Sequence, residues 1–143
     1  MTIAAILRHK GHDIARVSPT ATIKEVADRL AQKRIGAILV MDAADRLMGI
    51  LSERDIVRAI PTHGVRVLDM TAAQLMTQAV HTATPQTSVA EAMEQMTNRR
   101  VRHLPVLDHG RLVGVVSIGD VVKARIDQQT QEVDSLKAYV AGA

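Results

Sequence analysis

Apolar residues at Ile23, Val26, Ala27 and Leu30 recur at the three- and four-residue spacing of one helix face. Val89, Ala92, Met93 and Met96 repeat the spacing further along. Each stretch opens on a capping box, Thr22-Ile23-Lys24-Glu25 and Ser88-Val89-Ala90-Glu91, in which the hydroxyl satisfies a free helix N–H and the glutamate reaches back. The first is preceded by an extended Ile14–Val17 and by Ser18-Pro19, which disfavours helix before the proline. Short apolar runs follow both helices. Ala37–Met41 and Leu47–Leu51 are joined by the turn Asp42–Asp45, and His103–Leu107 and Leu112–Val116 by Asp108-His109-Gly110, so each half predicts a β-hairpin. Ser52 and Ser117 then open a second helix each. One unit reads β-α-β-β-α, and the chain holds two.

The two halves also align residue by residue over Val17–Ile60 and Ala83–Arg125, with identities that keep their order. Among them are Pro19/Pro85, Glu25/Glu91, Arg34/Arg100, Val40/Val106, Asp42/Asp108, Gly49/Gly114, Ser52/Ser117 and Asp55/Asp120. A sheet with helices on one face must bury its open side, and its own copy is the obvious partner. The expected fold is α+β: a tandem duplication of the β-α-β-β-α unit, the repeats packed face to face by pseudo-two-fold symmetry with clefts between them. The expected division is an N-terminal helical segment over 1–12, repeat one over 13–70, repeat two over 71–126 and a helical extension over 127–143. From the end of repeat two into the extension, Ile126, Gln129, Val133, Leu136 and Val140 form a short heptad stripe, which either packs back on the body or meets a partner. The Ile3–Leu7 helix could cover the same region.

Composition narrows the function. Hydrophobic residues make up 47% of the 143, yet Trp and Phe are absent and Tyr139 is the single tyrosine. The core is aliphatic, and stacking platforms for single-stranded nucleic acid are lacking. With no cysteine, thiol catalysis, zinc thiolates and disulfides are excluded, and the cytoplasm is the expected compartment. No apolar stretch of about 18 residues suggests a membrane span. The net charge is only +3, but thirteen Arg stand against five Lys, and arginine suits bidentate phosphate recognition. Arg99-Arg100-Val101-Arg102-His103 leads directly into an apolar strand.

The chemistry concentrates in Ser52-Glu53-Arg54-Asp55 and Ser117-Ile118-Gly119-Asp120, each entered by an apolar strand after Gly49 or Gly114. Either tetrad alone is an ordinary helix start. Both, at equivalent places in a duplicated unit, point further. A helix N-terminus offers free N–H groups and partial positive charge to a phosphate. The serine adds a hydroxyl, and an aspartate can accept from both hydroxyls of a ribose. Serine and aspartate at this place fit a nucleotide.

In these features the repeat resembles the CBS domain, and the tandem resembles a CBS-domain pair (Bateman module) of the stand-alone bacterial kind. The resemblance is carried by Ser18-Pro19 with Thr22-Ile23, by the Ile38-Leu39-Val40 and Leu104-Pro105-Val106 strands, and by the segments 49–55 and 114–120. It implies an adenosine-containing ligand in the clefts between repeats: AMP first, with ADP, ATP, NAD(H) or S-adenosylmethionine as further candidates, and no metal required. The implied ligand-contacting set is Thr22, Ile35, Gly36, Ala37, Ile38, Ser52, Arg54 and Asp55 in repeat one. In repeat two it is Arg102, His103, Leu104, Pro105, Ser117, Ile118, Gly119 and Asp120. Asp55 and Asp120 would hold ribose hydroxyls, Ser52 and Ser117 the ribose–phosphate, and Arg102 and His103 the phosphates. Such modules commonly pair again, so a homodimer is expected, reporting to a downstream protein that the sequence does not name.

Repeat one has Gly36-Ala37 where repeat two has Arg102-His103, and Leu39 in place of Pro105, so the two clefts should be unequal. His9-Lys10-Gly11-His12 sets its two histidines three apart across a glycine, which a surface loop explains better than a metal site. No nucleophile elbow or P-loop is present. The expectation is a regulatory nucleotide-binding module without catalysis. The competing reading is a protein-interaction or nucleic-acid-binding module with vestigial clefts, although the low charge and missing aromatics argue against nucleic acid.

Overall fold

Each repeat builds its own hydrophobic core, and the computed structural model, which describes residues 1–78 and 80–142, accordingly divides into two compact units. One is Asp13–Val80; the other joins Met1–His12 to the chain from His81 onwards.

In the first unit, β1 (Arg16–Val17) pairs in parallel with β2 (Ala37–Met41), which pairs antiparallel with β3 (Leu47–Ser52). The register sets Val17 beside Val40, Val40 opposite Gly49 and Ala37 opposite Ser52. Helix α2 (Ile23–Lys33) starts where predicted: Thr22 Oγ1 accepts the Glu25 N–H at 3.2 Å. It ends at Arg34 in the left-handed region, φ 53°. Its apolar face, Ile23, Val26 and Leu30, is buried against Ile38, Val40 and Leu51 of the sheet. At roughly 1.5–3 kcal/mol per fully buried aliphatic side chain, this core is what holds the unit. Helix α3 (Glu53–His63) follows, then a 3-10 turn (Gly64–Asp69) and the one-turn helix α4 (Ala72–Leu75).

The second unit repeats the plan with α5 (Val89–Arg99), capped by Ser88, the hairpin β4 (His103–Asp108) with β5 (Arg111–Ser117), and α6 (Ile118–Gly142). Its leading strand is shorter than the repeat predicts. Only Ala83 bridges in parallel to Val106, its N–H donating to Pro105 and its carbonyl accepting from Leu107, both at 2.9 Å. The unit is completed by α1 (Ile3–Lys10), whose Ile3, Ile6 and Leu7 lie in the same core as Val89, Leu104, Val106 and Val116.

The packed units therefore cut the chain differently from the sequence division. Residues 71–78, assigned by sequence to repeat two, pack on repeat one, and 1–12 pack on repeat two. The two covering segments are equivalents. Ala72 and Ala73 donate to the carbonyls of Ala21 and Pro19 at 2.8 and 3.0 Å, and Ile3 and Ala4 donate to those of Thr87 and Pro85 at 2.9 and 3.0 Å. Met70 accepts from Ile23, and Met1 from Val89. The sequence signal is short, Met1-Thr2-Ile3-Ala4 against Met70-Thr71-Ala72-Ala73, and it lies outside the longer alignment.

The extension 127–143 continues the last helix of repeat two: α6 runs without a break from Ile118 to Gly142, and Ala143 lies outside the described residues, as does Ala79 within 71–126. Its stripe does not pack back on the unit. Every residue from 129 to 142 is exposed, while the first turns bury Val121 and Ala124.

Candidate functional site

At one end of the first unit the hairpin register brings Ala37 and Ser52 side by side. The Glu53 N–H donates to the Gly36 carbonyl at 2.9 Å, so the N-terminus of α3 is tied to the strand entry. Ser52 is the N-cap, in extended conformation. Its N–H and its hydroxyl both donate to Asp55 Oδ2, at 2.9 and 3.0 Å, and its Oγ accepts the Asp55 N–H at 3.3 Å. Aspartate is short for the fourth position of a capping box, and here it closes back on the serine it follows.

The second unit builds the same end. The Ile118 N–H donates to the Arg102 carbonyl at 2.7 Å, and His103 lies opposite Ser117. The Ser117 N–H donates to Asp120 Oδ2 at 2.8 Å, and Ser117 Oγ accepts the Asp120 N–H at 3.2 Å. Here a cation enters that sequence reasoning did not include. Lys10, from the last turn of α1, places its Nζ 2.6 Å from Asp120 Oδ2 and donates to the Val115 carbonyl at 2.9 Å. The Asp120 side chain is 25% exposed and that of Lys10 37%. Burial pushes the Asp120 carboxyl up. The Lys10 hydrogen bond, the Ser117 N–H and the ammonium charge outweigh it, and the pKa lies below the ordinary 3.8. His12, two residues beyond Lys10, donates from Nδ1 to the Val113 carbonyl at 2.9 Å, so the stretch after α1 runs along β5.

Gly36, Ala37, Ser52 and Asp55 come together, as do Arg102, His103, Ser117, Ile118 and Asp120. Arg54 and Gly119 are exposed on the first turns of α3 and α6, and Arg102 is exposed at the strand entry. Ile38, Leu104 and Pro105 are buried in their strands. Ile35 continues the cap of α2, its N–H donating to Leu30. Thr22 does not join the group. It caps the start of α2, whereas Gly36 and Ala37 follow its end, about 16 Å of helix away at 1.5 Å per residue. An open groove near Thr22's end of the unit is lined by Arg16, Asp28, Arg29, Asp42 and Asp45, but its cations are engaged, Arg16 with Asp45 and Arg29 with the Arg16 carbonyl. Among the described residues no three His, Asp or Glu converge as a metal site.

The CBS domain family matches residues 6–62 and 72–127. A crystal structure of a CBS-domain-containing protein from Agrobacterium tumefaciens is 40% identical, superposes with a TM-score of 0.85, and is covered over 92% of its chain by 87% of this one. A CBS domain protein from Pyrobaculum aerophilum, solved in complex with AMP, is 32% identical with a TM-score of 0.74, over 84% of this chain and 89% of that one. A mitochondrial CBS domain-containing protein of Arabidopsis thaliana is 35% identical over 85% of this chain, which spans 61% of the relative's length.

Proposed function

The chain belongs to the CBS-domain family as a pair of such domains, and from that premise we propose that it is a non-catalytic sensor of an adenosine-containing ligand, AMP first. The observation that carries this reading is the state of the two aspartates. Each carboxylate is held through Oδ2, that of Asp55 by the Ser52 N–H and hydroxyl and that of Asp120 by the Ser117 N–H and Lys10 Nζ. A carboxylate oxygen fixed in place beside a helix N-terminus suits a pair of ribose hydroxyls. Ser52 and Ser117 stand ready for the ribose–phosphate, and the backbone near Ile35–Ile38 and Val101–Leu104 for the adenine. Arg102, exposed beside the second helix N-terminus, and His103 suit the phosphate. AMP in the Pyrobaculum relative, at 32% identity, supports the ligand class. ADP, ATP, NAD(H) and S-adenosylmethionine share the adenosine and remain within it.

The sensor is read as a cytoplasmic homodimer that reports to a downstream protein; the cysteine-free composition suits that compartment. No helix among the described residues is long and apolar enough to cross a membrane. Titration calorimetry with AMP, ADP, ATP, NADH and S-adenosylmethionine, with adenosine as the phosphate-free reference, tests the reading. Saturable binding of at least one, weakened by Asp120→Ala, is expected; no heat with any of them overturns it. Lys10 favours one other reading, in which an already neutralised Asp120 leaves a vestigial cleft on a protein- or nucleic-acid-binding surface. Short RNA, and no nucleotide, would then raise the melting temperature.

A further inference from the structure

Helix α6 has two apolar faces with different fates. Val121 and Ala124 are buried in the core of their unit, at 0% and 8% exposure. On another face, Val122, Ile126, Val133, Leu136 and Val140 are 40–65% exposed, with exposed Gln129 in line. At 100° per residue these six positions fall within about 80° of arc, well separated from the buried face. Their steps alternate four and three from end to end, the spacing of a coiled-coil seam. Ile126, Val133 and Val140 take the a positions, and Val122, Gln129 and Leu136 the d positions.

We propose that this face is covered by the same face of a second copy, the two helices lying parallel and in register as a two-stranded coiled coil. The inference deepens the homodimer reading above, and does not depend on the nucleotide. All three a positions are β-branched and one d position, Leu136, is leucine, and β-branched a with leucine d is the combination that favours two parallel strands. Charge decides the direction. In the parallel pair, Glu132 at g meets the partner's Lys137 at e, twice by symmetry. An antiparallel pair that kept every layer would set Glu132 against the partner's Glu132 and Lys123 against the partner's Lys137, like charges in both cases. In the parallel register Gln129 faces its own copy, where two amides bond each other across the axis; a polar layer of this kind fixes register at some cost in stability. The seam is under three heptads long, too short to pair in isolation. It is attached, however, to a helix whose first turns are anchored in a folded unit.

The chain has no cysteine, so a single introduced thiol reports proximity without background. In the full-length protein, Gln129→Cys is expected to oxidise to a species of twice the 15.5 kDa chain mass, whereas Gln131→Cys, off the seam, is not. Glu132→Lys should weaken association several-fold, and adding Lys137→Glu should restore it. Three results overturn the proposal. One is a dimer by light scattering in which Gln129→Cys cross-links no better than Gln131→Cys, which leaves the homodimer reading standing. Another is cross-linking of Gln129→Cys only when mixed with Val133→Cys, the mark of the antiparallel pair. A wild-type monomer at micromolar concentration removes the homodimer reading as well.

Discussion

Lys10 occupies the oxygen of Asp120 that, on Asp55, receives the Ser52 hydroxyl, so removing each carboxylate should have a different effect. Asp120→Ala is expected to weaken AMP binding by about 1–3 kcal/mol, since a charged acceptor disappears beside the only strand entry that carries Arg102 and His103. Asp55→Ala, next to Gly36 and Ala37, should cost less. Calorimetry on both variants checks the order, and equal losses would contradict it. Lys10 itself has a signature in pH. The native pKa of Asp120 is depressed below its unfolded value of about 3.8, so its contribution to stability is present above that pH and is lost as pH falls through the native value. Lys10→Met should therefore cost under about 1 kcal/mol at pH 7, the Lys10 side chain being 37% exposed and its charge screened. Urea melts should show the difference shrinking to nothing once both proteins carry a protonated Asp120. The serines and aspartates were legible because a doubled tetrad stands out. Lys10 was not: its partner lies 110 residues away, and no local pattern marks it.

Among the elements, the glycines Gly49 and Gly114 show what the repeat was preserving. Read from sequence, they are steps on the way to the Ser-x-x-Asp tetrads; in the fold, each lies beneath a covering segment. A Cβ on Gly49 would stand 2.7 Å from the Thr77 carbonyl oxygen and 2.8 Å from Met76 Sδ. On Gly114 it would stand 2.7 Å from Leu7 Cδ2, the far end of a flexible side chain. Gly49→Ala is thus expected to cost roughly 1–3 kcal/mol, because backbone must move and Thr77 pairs there with Ile50, and Gly114→Ala clearly less. Thermal melts of the two variants decide the order; a Gly114 variant as destabilised as the Gly49 variant would reverse the argument. Helices, hairpins and capping boxes were legible from period and punctuation. The covering segments were not, because they are short and pack on the repeat they do not precede. The matched Arg34 and Arg100 both adopt left-handed caps, φ 53° and 55°, and nothing in the structure explains arginine there.

For the molecule as a whole, the boundary between the two compact units falls after 80. A fragment of 13–80 contains the complete core from Val17 to Ala72. A fragment of 1–70 lacks the cover and carries Ile3, Ile6 and Leu7 with no core to enter. Both are small enough that their stability is marginal. Monitored by circular dichroism in urea, 13–80 is expected to unfold in a cooperative transition at a concentration where 1–70 shows none; an equally sharp transition for 1–70 would refute the division.

The crossing of the covering segments reaches beyond this chain. A protein with one copy of the repeat, built by the same rule, would have to lend its leading arm to another molecule and borrow one in return. Its folding would be a bimolecular event, vanishing on dilution. Duplication places lender and borrower on a single thread, where the effective molarity of one arm for the other's sheet is set by the tether, in the millimolar range for a short flexible one. The exchange then proceeds however dilute the protein is.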